Sequence, residues 1–345
     1  MDNSDKAVLR LALGLGLSAL VAYGLGQQLP FVSCVMAVIF LCKPGPPMPL
    51  LKGVVAGAVV AALLLAGVLM VPLLKHYAMT GVLLTGALFY AVTFAGARKA
   101  NPLTMILVVS FIVIPVAGVA DQALITALAK AFGVGLATAV LVSGISHALF
   151  PDAPAQGSAP SAPAAVSVQA ASRNALQATV VVMPMFIVAL SNPPLYIPTL
   201  MKAVALGQQA AATDAHAAGR ELVGSTLMGA LLGIAVWAGL SIWPNLWMLM
   251  LWLMAAAFWA GARLYRTKPT SFPPSFWVNA LVTMLILLGP GIEDASVGKD
   301  VYLASAIRVS LYIALSFYAW AMVWAFERWS ARRAAPTSSS PVPRP

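Results

Sequence analysis

The chain has 345 residues, of which 61% are hydrophobic and 9% are charged, and its net charge is +10. A soluble domain carries roughly 25% charged residues, so this composition excludes a soluble fold. The mean hydropathy of +0.91 and the long apolar runs indicate an all-α integral membrane protein with the lipid bilayer as its solvent. The cations lie between the apolar runs, as they do in membrane-protein loops, and therefore do not indicate a nucleic-acid partner.

About twelve apolar segments have lengths near the roughly 20 residues that a bilayer crossing requires. The segment nearest the N-terminus is interpreted as a retained first helix rather than a cleaved signal peptide. The second segment of each half is expected to be short and tilted or re-entrant. The segment at 30–42 is brief, and Pro198 interrupts its counterpart at 194–207. The predicted segments are 9–26, 30–42, 53–74, 78–97, 102–120, 123–149, 174–191, 194–207, 222–240, 244–262, 274–290 and 301–326.

Composition also divides the chain into two membrane regions. Residues 151–171 are rich in Pro, Ala, Ser and Gly, which is typical of a linker. This linker separates a first membrane repeat at 1–150 from a second at 172–329. The Ser- and Pro-rich residues 330–345 are expected to form a disordered tail.

The positions of the cations predict the orientation of the chain. If the N-terminus is cytoplasmic, 16 of the 20 lysines and arginines lie inside or near the inner face. Lys75 and Lys299 then lie outside, and two further cations fall within spans. We therefore expect a multi-pass protein of a bacterial inner membrane, with the linker and both termini in the cytoplasm.

Landmarks recur in the same order in the two halves. Arg10 and Arg173 open the first helix of each half, and Lys130 and Arg308 lie in the sixth. Because six spans is an even number, the two halves have the same orientation. The sequence therefore predicts two parallel six-helix repeats related by an axis along the membrane normal.

Lys130 and Arg308 are the first candidates for substrate binding. A cation inside the membrane costs about 2.5–3.5 kcal/mol on insertion scales, so it requires a compensating partner. One interpretation is a pair of anion-binding cations, one in each half. The alternative is that they contact backbone carbonyls or Asp121 and Asp300, or extend towards the interface.

Three further cations are candidate substrate-binding residues: Arg10, Arg173 and Lys202. Arg10 and Arg173 lie at span ends, where cations commonly anchor the topology, and the depth of Lys202 depends on its uncertain segment. The acids, including Asp294, are expected in loops, at termini or at span edges. A proton relay built on buried carboxylates is therefore not predicted.

The motifs that would indicate an enzyme are not found. The sequence has no Walker loop, no HExxH and no Gly-x-Ser-x-Gly. Cys34 and Cys42 lie in one apolar segment and are interpreted as small core residues rather than metal ligands. We therefore predict neither catalysis nor a cofactor.

Several of these features together resemble the fusaric-acid-resistance-like proteins, which include the bacterial aromatic acid exporters. They are the Arg-led first helix, the short Pro-bounded second segment, the run RELVGSTLMGALLG from Arg220 to Gly233, and a sixth helix with a cation. The resemblance covers most of residues 8–328. It implies an inner-membrane efflux component that forms homo-oligomers and works with a periplasmic adaptor of the membrane-fusion type. The chain departs from many members in carrying only a short linker and tail where they have large cytoplasmic domains.

The resulting hypothesis is efflux of small organic anions, aromatic ones above all, along a path between the halves. Phe89, Tyr90, Phe94 and Phe111 are expected to provide an apolar wall for a ring. A channel-like anion pore is the alternative within transport. A non-transporting scaffold for envelope assembly is the alternative from another class.

Overall fold

A computed structural model of the chain describes residues 2–42, 48–99, 104–151, 167–212, 215–298 and 300–334. These described residues form helices and short connections, and no strand occurs among them. The all-α prediction is therefore confirmed. Helices are the form that apolar segments take in a bilayer, because each helix satisfies its own backbone hydrogen bonds.

In the first half, the helices follow the predicted segments closely, and the third predicted span is divided. A 3₁₀ segment, Ala66–Met70, joins two α-helices at this point. Ser110 compensates for the break, because its hydroxyl accepts from the Gly67 N–H (3.0 Å) and lies 2.9 Å from the Leu63 carbonyl oxygen, to which it can donate. The helices are α1 Asn3–Gly24, α2 Pro30–Leu41, α3 Leu50–Leu65, α4 Val71–His76, α5 Ala78–Lys99, α6 Thr104–Ala120 and α7 Gln122–Leu149.

In the second half, the third span begins with a wide turn. A π-helical segment, Gly219–Val223, joins a short helix to the long one that follows it. The helices are α8 Val168–Ser191, α9 Pro193–Ala212, α10 Ala215–Ala218, α11 Gly224–Ile242, α12 Leu246–Leu264, α13 Pro274–Ser296 and α14 Val301–Ala334.

Among the described residues, nine helical segments are long and apolar enough to cross a membrane, which confirms a multi-pass membrane protein. Helices α2 and α6 are apolar but shorter, with 12 and 17 residues. The expected short second segment is present in the first half as α2. Its counterpart α9 is longer than predicted, with 20 residues, because the helix continues through Pro198 to Ala212. A proline removes one backbone hydrogen bond without necessarily ending a packed membrane helix.

Several predicted boundaries shift by a few residues, and two of these shifts change the predicted linker and tail. Helix α8 begins at Val168, where the Ser167 hydroxyl accepts from the Ala170 N–H, so the last residues of the predicted linker are helical. Residues 152–166 of that linker lie outside the described residues. Helix α14 continues to Ala334, into the predicted tail, and residues 335–345 lie outside the described residues.

Two hydrogen bonds identify helix ends that share a face of the bundle. Lys6 Nζ donates to the Pro151 carbonyl at 2.8 Å, which brings the start of α1 beside the end of α7. The Tyr265 hydroxyl, just after α12, donates to the Leu41 carbonyl at the end of α2. Since α2 returns antiparallel to α1, all four ends lie at what we call the amino-terminal face. The opposite side is the distal face.

The two halves are interlocked rather than side by side. Helix α1 packs against α12, and α5 packs against α8. At the centre, α2 contacts α13 and α6 contacts α9, so these four helices surround the axis of the bundle. Any space left between them belongs to both halves.

Small residues allow some helices to approach each other closely. Gly57 of α3 faces Gly133 of α7, and a Cβ atom added to Gly57 would lie 2.7 Å from the Gly133 carbonyl oxygen. Such contacts are characteristic of membrane helices, where close packing replaces the hydrophobic effect as the driving force for association.

Candidate functional site

A cavity of about 530 Å³ lies between the two halves at the centre of the bundle. Its walls come from α2, α6 and α7 of the first half and from α9, the π segment and α13 of the second. Most of the wall is apolar, with Met36, Ile39, Met105, Ile106 and Phe132 on the first-half side. The polar residues of the wall are Gln208, Gln209, Glu221, Ser275 and Asn279.

The two ends of the cavity differ in polarity and burial. At the polar end, Ser275 lies in the first turn of α13, at the amino-terminal face, and is exposed. At the apolar end, deeper in the bundle, Val35, Val109 and Ile286 are exposed by only 6%, 4% and 2%. We call these the open end and the closed end of the cavity.

Lys202 is not a residue of the cavity wall, but it lies behind the closed end of the cavity. It is 2% exposed, and its ammonium donates to the Thr283 hydroxyl at 2.6 Å. That hydroxyl donates in turn to the Asn279 carbonyl. Met201 and Val282, which directly precede Lys202 and Thr283, are wall residues.

The amine of Lys202 has no neighbouring acid, among the described residues, that would balance a positive charge. Within the described part of the chain, no carboxylate contacts its ammonium. A buried charge with one hydroxyl partner is costly in a low-dielectric interior unless an anion approaches it. Of the five predicted cations, Lys202 is therefore the one whose surroundings suit an anionic ligand.

Glu221 occupies the open end of the cavity, in the π segment. Its Oε2 atom accepts from the Ser275 hydroxyl at 3.1 Å, and its carbonyl oxygen accepts from Gln209 Nε2 at 3.4 Å. Gln208, which precedes Gln209 on α9, also lines the cavity, and its buried Nε2 has no hydrogen-bond partner among the described residues. Single π turns occur frequently at functional sites.

Sequence reasoning missed Glu221 as a site residue. Its position at a span edge was recognised, but nothing local shows that this edge borders a cavity. The available signal was an acid at the head of a Gly-rich apolar helix. Gln208, Gln209 and Asn279 carry no charge, so the sequence did not identify them as candidate site residues.

Arg308 has a partner that the sequence did not predict. Its Nη2 atom lies 2.6 Å from Asp294 Oδ2, and the two side chains are only 8% and 11% exposed. Asp294 lies near the end of α13, because this helix continues to Ser296, six residues beyond the predicted span, and the acid is buried there. The charge of Arg308 is thus compensated by an acid of the protein itself, although its Nε and Nη1 atoms are buried without a hydrogen-bond partner among the described residues.

Lys130 does not face the interior as predicted, because its side chain is exposed on the outside of α7. Its neighbours Ala129 and Ala131 are buried, so the side of α7 that packs inside the bundle carries residues other than Lys130. A lysine on the outside of a span can extend its ammonium towards the interface. Lys130 and Arg308 therefore do not form a matched pair of cations.

The two span-opening arginines also differ from each other. Arg173 is exposed, whereas Arg10 is 8% exposed and lies near Tyr265 at the amino-terminal face. Burial raises the pKa of Tyr265, and the Arg10 charge opposes part of that rise. Neither arginine lines the cavity. Arg10 thus contributes to the contact between α1 and the end of α12.

The predicted aromatic wall lies elsewhere. Phe89, Tyr90, Phe94 and Phe111 are not among the cavity residues. Tyr90 shares a hydrogen bond with Ser172 and stacks on Phe94 at 6.1 Å between ring centroids. The ring that does line the cavity is Phe132.

The fold defines a multi-pass α-helical membrane protein, with a central cavity between its two halves. Residues 7–146 match a family model described as "Protein of unknown function (DUF2955)". The match begins in α1 and ends in α7, so the chain is similar to this family over its first half. No curated protein and no solved structure matches the chain.

Proposed function

We propose that the protein is a transporter that exports small organic anions with an apolar, typically aromatic, body. The observation that carries the proposal is the central cavity, whose closed end lies beside the buried Lys202. An anion bound there would compensate the lysine charge, and the apolar wall would hold the remainder of the molecule.

The size and composition of the cavity support this assignment. Small-molecule pockets commonly measure about 300–1,000 Å³ and combine apolar walls with a few placed polar groups. The cavity has that volume and that wall. Met36, Met105 and Met201 are flexible, polarizable side chains that can adjust to rings of different shape.

The closed distal end favours a transporter over the channel-like pore. A pore needs a continuous path, whereas alternating access needs a site that is open to one side at a time. The second requirement suits this cavity better, since its polar end lies at the amino-terminal face and its apolar end is buried.

We further propose the predicted arrangement of two parallel repeats. Several equivalent helices make equivalent contacts: α1 with α12 corresponds to α8 with α5, and α2 with α13 corresponds to α9 with α6. The third spans differ, because α3 packs mainly against α7 whereas α11 packs mainly against α13. Within the halves, α1 with α2 corresponds to α8 with α9. This pattern is the one that a two-fold axis along the membrane normal produces.

The cation distribution supports an inner-membrane location with the amino-terminal face in the cytoplasm. The cavity would then take its substrate from the cytoplasm, which suits export. The resemblance to the fusaric-acid-resistance-like proteins supports the same direction. It also motivates, as proposals, a periplasmic adaptor of the membrane-fusion type and a homo-oligomer.

Exchange of radiolabelled benzoate across proteoliposomes tests the proposal. We expect wild-type protein to exchange benzoate, and Lys202→Met to reduce the exchange about tenfold or more, the scale of a lost charge-assisted hydrogen bond. The matched control is Lys130→Met, which removes the same charge from an exposed position of another span. It should leave the exchange unchanged.

Two results would contradict the proposal. One is an absence of benzoate exchange by folded wild-type protein, with folding verified by a single symmetrical peak in size-exclusion chromatography. The other is equal loss of exchange in Lys202→Met and Lys130→Met, which would show that the position of the charge is irrelevant.

A further inference from the structure

Groups of opposite chemistry lie near the two ends of the cavity. Behind the closed end, next to the wall residues Met201 and Val282, the buried amine of Lys202 donates to Thr283. At the open end, the carboxylate of Glu221 accepts from Ser275. Among the described residues that line the cavity, Glu221 is the one that carries a charge.

The separation of these ends can be measured along two helices. On α9, Lys202 precedes Gln209 by seven residues, a rise of about 10 Å, and Gln209 bonds to Glu221. On α13, Ser275 precedes Thr283 by eight residues, a rise of about 12 Å. The two helices give similar rises, so the backbone positions that hold the two groups lie roughly one small molecule apart along the bundle.

We propose that Glu221 is the residue that determines specificity for the far end of the bound anion. In this assignment, which rests on the proposed transport function, the cavity selects monoanions with a hydrogen-bond donor opposite the carboxylate, and rejects dianions. The substrate carboxylate lies towards Lys202, and its donor lies at Glu221.

The chemistry of an ionised carboxylate accounts for this selection. A carboxylate only accepts hydrogen bonds, so it pairs with an amino or hydroxyl group and repels a second carboxylate. A para-substituted benzene ring with a hydrogen bond of about 2.9 Å at each end covers the separation between the two charges. Gln208, whose buried Nε2 has no partner among the described residues, is placed beside the same end.

A comparison of three test anions examines the inference: benzoate, 4-aminobenzoate and terephthalate. They share one ring and differ at the para position, where they carry nothing, a donor or a second carboxylate. Competition with benzoate exchange in proteoliposomes gives the relative preference for each. We expect wild-type protein to prefer 4-aminobenzoate to benzoate and to reject terephthalate.

Two substitutions separate the charge of Glu221 from its acceptor atoms. Glu221→Gln keeps an acceptor and removes the charge, so it should raise competition by terephthalate about tenfold, the effect of relieving one partly screened like-charge contact. Glu221→Leu removes both and should abolish the preference for 4-aminobenzoate. Glu327→Gln, which removes an acid of α14 that is not a cavity residue, is the matched control and should change neither preference.

The outcomes separate this inference from the proposed function. A purely structural role for Glu221 would change the exchange of all three anions by the same factor. If benzoate exchange persists in Glu221→Gln and the relative preferences stay as in wild type, the specificity role is wrong and the transport function stands. If wild-type protein exchanges no benzoate, or if Lys202→Met exchanges it normally, the proposed function fails and this inference fails with it.

Discussion

At the scale of single residues, the cations of the spans differ in how their charge is compensated. Arg308 is paired with Asp294, Lys202 is held by the hydroxyl of Thr283, and Lys130 is exposed on the outside of α7. Residue type and depth in the membrane do not by themselves distinguish these three cations. Because an unbalanced buried charge is costly, Lys202, which has no acid beside it among the described residues, is the strongest candidate of the three for binding an anion.

The Arg308–Asp294 pair makes a prediction about stability. Asp294→Leu leaves the Arg308 guanidinium buried without the acid it contacts, and we expect a loss of about 3 kcal/mol. The double variant Asp294→Leu/Arg308→Met replaces both groups by apolar side chains and should recover most of that loss. The difference in stability between the variants is measured by heating each one in detergent and determining the folded fraction by size-exclusion chromatography.

Lys130→Leu provides the comparison for these variants, since it removes an exposed cation and should leave the unfolding temperature nearly unchanged. A double variant that unfolds as early as Asp294→Leu alone would contradict the pairing. It would show that the buried guanidinium is satisfied by something other than Asp294.

At the scale of secondary-structure elements, the helices are held by close contacts as well as by apolar side chains. Gly57→Leu places a side chain where the Gly133 carbonyl of α7 lies, so we expect α3 and α7 to separate at a cost of about 1–3 kcal/mol. Thermal unfolding of the detergent-solubilised protein measures this cost.

Gly144→Leu is the matched control, because it makes the same change within α7 at a site where an added Cβ atom meets no other atom within 4 Å. The two variants also have the same effect on intrinsic helix propensity. Equal loss of stability in both would indicate a general effect of leucine rather than the contact between α3 and α7.

At the scale of the whole molecule, the interlocked halves surround a cavity that is open on one face. The proposed orientation puts that face in the cytoplasm. It predicts that a cysteine at Val297, which is 68% exposed beyond α13 at the distal face, reacts with an impermeant maleimide in intact cells. A cysteine at Asp2, at the amino-terminal face, should react only after permeabilisation. Both are made in a background in which Cys34 and Cys42 are alanine.

The reverse labelling pattern would place the open face of the cavity outside the cell and would favour uptake over export. Labelling of both positions in intact cells would contradict the proposed arrangement altogether, because the two residues lie at opposite faces of the bundle. Loss of membrane integrity is monitored in the same cells with a cytoplasmic marker protein.

The sequence by itself determined the class of protein, the helices and most of their bounds. Span length, hydropathy, and prolines and glycines at helix ends are local properties, which is why α1, α7 and α12 begin and end within a few residues of their predictions. The sequence also identified Lys202 as a candidate site residue, but it gave Lys130 and Arg308 more weight.

Only the tertiary structure decided which of these residues face the cavity. In helices that are apolar on all sides, the 3.6-residue period does not mark an inner face, so neighbouring helices set the direction of each side chain. Lys130 therefore points outwards, Arg308 meets Asp294, and Lys202 and Glu221 come to opposite ends of one cavity although they lie on different helical segments. Charge compensation depends on contacts between helices, and those contacts exist only in the folded protein.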